Sequence, residues 1–353
     1  MSPTEAQTTT SQPGRILFIA RNEDAVHSLV QSLADAGIDQ VDAITDARKA
    51  LPVFRQTRPD VVIMDADVDQ FDSFSVMKQL AARVAPEEFL PFVVLSALPD
   101  LRLKQMCIEA ELTPFFQDPS NTNDISLLVH ELVAIRGKSQ RMSEAVQRQS
   151  AEARRVETEV ARHIAQFAEF KDHPNSGHTA RVGHLAALIG LVLGMRGDEV
   201  EILRLAAPLH DVGKIGIPDA ILLKEEPLSL EEMDIVKTHT TLGASILAGS
   251  STPLFQMAEE IALYHHENWD GTGYTPGLEG EAVPLVGRIV RVVDAFDALT
   301  SARPFAEQWR RDSAVEFIRT QSGHSFDPTI VEAFLEVQAD AEDSADEIAR
   351  GIL

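Results

Sequence analysis

Seven side chains stand out for the chemistry they could share: His178, His210, Asp211, His239, His265, His266 and Asp294. The gaps between them are 32 residues from 178 to 210, 28 from 211 to 239, 26 from 239 to 265 and 28 from 266 to 294. Each gap is about the length of a helix, a loop and the next helix, so successive helices can deliver one or two ligands to a common point. Imidazoles with a few carboxylates and no thiolate suit Fe, Mn, Zn or Ni. A single histidine on an apolar helix face is more often a satisfied core residue. Adjacent pairs inside apolar segments, His210-Asp211 in ILRLAAPLHDV and His265-His266 in EEIALYHHE, change that balance. Burying several such groups unpartnered would cost about 1–3 kcal/mol each. One metal centre partners them all.

The elements that must position these residues are helical. From 171 onward the apolar spacing follows a helix in VGHLAALIGLVLGM, VEILRLAAPLHDVG, EEMDIVKTHTTLGASILAG, FQMAEEIALYHHE, GRIVRVVDAFDALT and IVEAFLEVQ, with Gly/Pro punctuation between them. Residues 171–353 therefore read as an all-α bundle, an architecture that builds metal sites from facing helices. Ahead of it, 137–170 contains no proline. Its Val146, Ala153, Val156, Val160, Ile164 and Phe167 recur at three- to four-residue spacing, which predicts a linking helix, either packed on its own domain or paired with a second copy. Residues 15–136 alternate apolar runs (15–20, 41–45, 60–65, 92–97, 113–117) with amphipathic stretches, including one over 101–112. That pattern predicts a five-stranded, doubly wound α/β domain. Residues 1–14 read as a disordered tail lacking the regions of a signal peptide.

Composition narrows the partners. The net charge of −24 argues against long nucleic acid as a ligand but not against a small anion, because bound cations can dominate a local field. No apolar run approaches the ~18 residues of a membrane span. The single cysteine, Cys107, excludes an internal disulfide and fits a cytoplasmic protein.

The motifs HDVGK (210–214), HHENWDGTGY (265–274) and DAFDALTSARP (294–304), together with IGIPDAIL, GEAVPL and HSFDP, resemble the HD-GYP family of metal-dependent phosphodiesterases from about 171 to 335. The resemblance implies hydrolysis of cyclic di-GMP, to pGpG or on to GMP, or of a related cyclic dinucleotide. It implies a first metal on His178, His210, Asp211 and Asp294, with Asp211 bridging to a second on His239, His265 and His266. Two divalent ions are expected, Fe or Mn first, with Zn, Ni or Mg as alternatives. Lys214 would reach a phosphate oxygen as a catalytic and substrate-binding group. Asp270, Gly273, Tyr274 and Arg303 would contact substrate, and the 270–277 loop would also offer a surface to a protein partner. Thr275 replaces the proline of Gly-Tyr-Pro. Pro174 stands where trinuclear members carry a glutamate, hence two metals. Pro304, Phe305, Ala306 and Glu307 replace the aromatic and basic residues after Arg303. A catalytically weak scaffold that binds cyclic dinucleotides or proteins is the alternative reading, and another HD-type nucleotide phosphohydrolase a third.

PDVVIMDADVDQFDSF (59–74) resembles a response-regulator receiver, with Asp65 at the phosphoacceptor position and Ser96 at the hydroxyl position. The acidic pair that would hold Mg²⁺ is Ala20-Arg21, and the expected lysine is Asp118. Phosphotransfer onto a carboxylate needs those cations, so the expected reading is a degenerate receiver used for dimerisation or partner binding, with Asp65 a weak phosphoacceptor candidate. A homodimer through the linking helix or the receiver is expected.

Overall fold

The computed structural model describes residues 14–65, 73–84, 88–96, 104–105, 115–172, 177–301 and 308–338. The helix expected over 101–112, Cys107, Pro174, Arg303 and the run 304–307 lie outside the described residues, apart from 104–105. The chain divides into two compact units, Met1–Glu152 and Ala153–Leu353.

In the first unit five parallel strands, β1 (Ile16–Ile19), β2 (Val41–Ile44), β3 (Val61–Asp65), β4 (Phe92–Leu95) and β5 (Phe115–Gln117), lie in the order β2-β1-β3-β4-β5. β1 and β3 are buried throughout, and β1, like β3 up to its final Asp65, reads as an unbroken apolar run, the mark of a sheet covered on both faces. Alternate residues feed opposite layers. Leu17, Ile19, Val62 and Met64 pack with α2 (Ala50–Thr57) and α3 (Ser73–Ala81) through Phe54, Met77 and Leu80. Ile16, Phe18 and Ile63 pack with α1 (Glu23–Asp35) through Leu29 and Leu33, and with Ile125, Val129 and Leu132. The strand order reverses between β1 and β3, and Asp65 sits at the carboxyl end there, where such sheets place their functional groups.

The last three of those residues start α4, a continuous helix from Thr122 to Asp172. The sequence suggested a receiver helix ending near 136 and a separate link over 137–170. A lone Gly137 with no proline nearby does not stop a helix that is committed on both sides, since glycine costs only about 1 kcal/mol against alanine. Within the second unit α4 has two faces: Ala161, Ala165 and Ala168 are buried against the bundle with Ile164 beside them, whereas Val156, Val160 and Phe167 are exposed.

The bundle comprises α5 (His178–Val192), α6 (Gly197–Ala206), α7 (Asp219–Leu222), α8 (Leu230–Lys237), α9 (His239–Leu247), α10 (Pro253–Tyr264), α11 (Leu285–Thr300), α12 (Arg311–Thr320) and α13 (Pro328–Val337). Three runs expected as single helices are interrupted, each at a ligand. Pro208, which lacks the N–H a helix interior needs, stands in the 3-10 turn Ala207–Leu209 that ends α6, so His210 and Asp211 leave the helix. Thr238 closes α8 with a backbone bond to Ile235 and caps the start of α9 at His239. α10 stops at Tyr264, with His265 as its cap. His178 is the first residue of α5, and only Asp294 lies in a helix interior.

Candidate metal centre

Helix ends, together with Asp294 from the interior of α11, bring the candidate ligand side chains together in two groups. His178, His210 and Asp294 have ligand atoms within 4.8 Å of one another, as do Asp211, His239, His265 and His266. Asp211 faces both. Its Oδ2 is 3.2 Å from His210 Nε2, and its Oδ1 is 3.4 Å from His239 Nε2 and 3.7 Å from His265 Nε2. Asp294 Oδ1 is 3.7 Å from Nε2 of both His178 and His210.

The rings are held by their other nitrogen. His210 Nδ1 lies 2.9 Å from Ala207 O, His239 Nδ1 2.7 Å from Val236 O, and His265 Nδ1 3.0 Å from Ala262 O. Donation to a carbonyl puts the proton on Nδ1 and leaves Nε2 as a lone pair aimed inward, the tautomer a metal ligand needs. Nε2 atoms then face each other, 3.4 Å apart for His178 and His210 and 3.3 Å for His239 and His265. Two lone pairs at that distance repel unless a cation or proton lies between them. Asp211 Oδ1 is buried with no hydrogen-bond partner. An orphaned carboxylate oxygen among converging nitrogens fits divalent metal ions.

The electrostatics agree. Burial opposes ionisation of Asp211, but Lys214 and His210 outweigh it and hold the carboxyl well below its usual range; Lys214 Nζ is 2.7 Å from Oδ2. Burial likewise opposes a charge on His210, yet Asp211 and Asp294 raise it to about 9. Burial pushes His239 down to about 4 and His266 well below its ordinary value. The metal-free site thus holds carboxylate charge beside a protonated His210 and beside His239 and His266, which burial keeps neutral.

His178 differs from its neighbours. Its Nδ1 meets a side chain, Asp297 Oδ2 at 2.7 Å, rather than a carbonyl. Asp297 in turn accepts from Arg181 Nε at 2.6 Å and from the Ser301 hydroxyl at 3.1 Å. Sequence reading missed Asp297 and Arg181. Both follow from helix spacing, since Asp297 is one turn beyond Asp294 and Arg181 one turn beyond His178, each pair sharing a face. Burial raises the Asp297 carboxyl, but the bonds from His178 and Arg181 prevail and hold it at about 2. A depressed carboxylate contributes stability above its unfolded value of about 3.9 and loses it as pH falls toward the folded value. In the metal-free protein, Asp297→Asn is expected to cost about 2 kcal/mol at pH 7. The gap from wild type should narrow below about pH 4 and close near pH 2, read by denaturant melts across pH; a pH-independent gap would show that the cost is packing, not charge.

The loop after His266 is tied to its own origin. A Cβ at Gly273 would stand 2.3 Å from Asn268 N and 2.6 Å from both Glu267 Cα and His266 O, so only glycine lets the chain double back there. Tyr274 then stacks on His266, centroids 4.7 Å apart, with Lys237 Nζ 5.7 Å from its ring. Burial, reinforced by Asp211, pushes its phenol up to about 12, keeping it a neutral hydrogen-bond donor. The Asp270 carboxylate is engaged with Thr272 N and Oγ1, closing the turn. Glu267 staples the loop, accepting from Gly277 N at 2.6 Å, and Arg291 bonds Asn268 Oδ1 at 2.9 Å. Neither residue was singled out in the sequence.

In the first unit Arg21 Nε lies 3.3 Å from Oδ2 of the buried Asp65. An arginine stands where a receiver would bind its cation. At the lysine position Asp118 accepts from Ser120 N and Oγ, which hold it below the ordinary carboxylate range. A small phosphoryl donor with Mg²⁺ is expected to leave the chain unlabelled; label on wild type that disappears in Asp65→Asn would overturn this.

A family model for the HD domain matches residues 162–330, and one for the response regulator receiver domain matches 16–130. Over 304 residues the chain is 36% identical to the cyclic di-GMP phosphodiesterase response regulator RpfG of Xanthomonas campestris, covering 84% of this chain and 80% of that protein. It is 32% identical over 342 residues to a cyclic di-GMP phosphodiesterase of Thermotoga maritima, covering 93% and 91%. A third relative, the 3'3'-cGAMP-specific phosphodiesterase 2 of Vibrio cholerae, is 37% identical over 183 residues, covering 52% of this chain and 35% of its own. Fold and site define an HD-domain protein with a receiver domain ahead of it. The chain belongs to the HD-GYP family.

Proposed function

We propose that this protein hydrolyses a cyclic dinucleotide, cyclic di-GMP, at a two-metal centre in its HD domain. The carrying observation is the orphaned Asp211 Oδ1 between two groups of converging ligand atoms. In this reading His178, His210, Asp211 and Asp294 hold one ion, Asp211, His239, His265 and His266 the other, and Fe or Mn is the expected metal. The ions, when bound, activate water and neutralise charge in an in-line displacement at phosphorus. Lys214, whose Nζ lies 2.7 Å from Asp211 Oδ2, would offer its ammonium to a phosphate oxygen as a point charge. Tyr274, neutral and stacked on His266, offers an aromatic face to a base and an O–H to a polar edge. Gly273 would let the backbone come close, and Arg303, outside the described residues, is the guanidinium this reading assigns to the phosphate. With relatives named for cyclic di-GMP and for 3'3'-cGAMP, the guanine preference belongs to this proposal.

The same reading divides the chain into a receiver-like domain (15–136), a linking helix (137–170) and the phosphodiesterase domain (171–353). It also includes a homodimer through α4. Exposed Ile135, Met142, Val146, Val156, Val160, Phe167 and Phe170 fall on the alternating four- and three-residue spacing of a coiled-coil seam. No helix among the described residues is long and apolar enough to cross a membrane.

The test is anaerobic incubation of Mn- or Fe-loaded protein with cyclic di-GMP and, separately, 3'3'-cGAMP, products being read by chromatography. Linear dinucleotide or mononucleotide from cyclic di-GMP supports the proposal, and turnover of 3'3'-cGAMP alone reassigns the substrate. No turnover of either with metal bound favours a cyclic-dinucleotide-binding scaffold.

A further inference from the structure

We infer that Glu169 and Lys171, on the last turn of α4, are positioning residues that hold opposite sides of the metal centre. The inference rests on the two-metal reading above and extends it to residues outside every recognised motif.

α5 begins on a proposed ligand, His178, and the residue before it is Gly177, which has no side chain to cap the helix. The cap comes from another helix. Glu169 Oε1 accepts from His178 N at 3.1 Å, and Oε2 accepts from Thr179 Oγ1 at 2.5 Å. The carboxylate therefore satisfies an N–H that a helix start leaves unpaired, at the end of the dipole that favours negative charge. It fixes the His178 backbone while Asp297 fixes the His178 ring. Two residues on, Lys171 Nζ donates to Ile215 O at 2.8 Å and Ile217 O at 2.7 Å, with Asp219 Oδ1 at 3.4 Å. Those carbonyls belong to and follow the 3-10 turn Val212–Gly216, which carries Lys214.

One helix end thus grips the first ligand group through Glu169 and the Asp211–Lys214 turn through Lys171. A small shift or rotation of α4 would be felt in both places, and α4 is continuous from Thr122.

The two residues should fail differently. Glu169→Gln keeps the volume, but its amide end presents donors to Thr179 Oγ1 or His178 N. The expected result in the full chain is at least a tenfold weaker Mn²⁺ affinity at one site, the second staying as in wild type, read by equilibrium dialysis with Mn²⁺ alone. Lys171→Met keeps the aliphatic stem and loses the ammonium. It should bind both ions as wild type yet lose about tenfold in kcat on cyclic di-GMP with KM within twofold. Lys171→Arg, which still reaches carbonyls, should restore most of the loss. Wild-type Mn²⁺ binding in Glu169→Gln, or unchanged kcat in Lys171→Met, would overturn the inference, as would equal weakening of both sites, which marks general loosening. If wild type binds two ions and hydrolyses nothing, the functional reading fails while the Glu169 arm still decides its own half.

Discussion

Asp211→Asn is expected to abolish turnover, by at least ~10³-fold, and to strip metal from both ligand groups. That factor corresponds to about 4 kcal/mol in the barrier. Asparagine keeps the shape but offers one carbonyl oxygen in place of two anionic ones. The two Asp211 oxygens face different groups, Oδ2 toward His210 and Oδ1 toward His239 and His265. Removing any one histidine should weaken one ion; removing the carboxylate should weaken both. The variant should still fold, because a buried carboxylate is costly to desolvate and the amide is cheaper. The measurement is metal content by elemental analysis after loading, beside a melt of the metal-free protein. Loss of a single equivalent would show that Asp211 does not bridge, and a collapsed melt would make the activity loss uninformative about the site.

The same substitution changes how protons compete with metal. Asp211 is the first of the charges that outweigh burial to hold His210 near 9. Below that value the metal-free wild type carries a proton on His210, which an incoming ion must displace, so metal affinity should rise with pH up to about 9. In Asp211→Asn the larger of the two carboxylate contributions is gone, leaving Asp294 as the carboxylate that opposes burial, so this dependence should flatten.

That these seven side chains converge could be read from the sequence because their spacing is set by helix lengths. His-Asp and His-His pairs inside apolar runs had no cheap alternative to a shared partner. What could not be read was how the ligands are aimed. The sequence suggested helices running through His210, His239 and His265, whereas all three lie at helix ends, where Pro208, Thr238 and the end of α10 turn the chain. Periodicity reports which face is apolar; it does not report a one-residue break between two helices of similar pattern. Glu169 and Lys171 were invisible for a different reason. Most of their partners are backbone groups 9 to 46 positions away, His178 N for Glu169 and the Ile215 and Ile217 carbonyls for Lys171, and a backbone partner leaves no trace in residue type. The receiver's departures were legible as missing charges at Ala20-Arg21 and Asp118, but the 3.3 Å pairing of Arg21 with Asp65 required coordinates.

Gly213→Ala should be the most damaging change outside the ligands. Gly213 lies between Asp211 and Lys214 in the 3-10 turn, and a Cβ there would stand 1.9 Å from His239 O and 2.4 Å from Gly243 N. Both are backbone atoms of α9, so no rotamer change relieves the clash; α9 or the turn must move. Either movement separates Asp211 from His239, now 3.4 Å apart at Oδ1 and Nε2. Overpacking of this kind costs about 3 kcal/mol, and the expected result is a clearly lower melt together with loss of the ion assigned to His239, His265 and His266. Gly197→Ala is the matched control: no heavy atom lies within 4 Å of its Cβ position, so it should be neutral to within about 0.5 kcal/mol. The glycine of HDVGK therefore acts through distance, letting the turn that bears Asp211 press directly on the helix that bears His239. If Gly213→Ala melts like wild type and binds two ions, the contact between the turn and α9 is looser than described, and the 3.4 Å approach of Asp211 to His239 has some other cause.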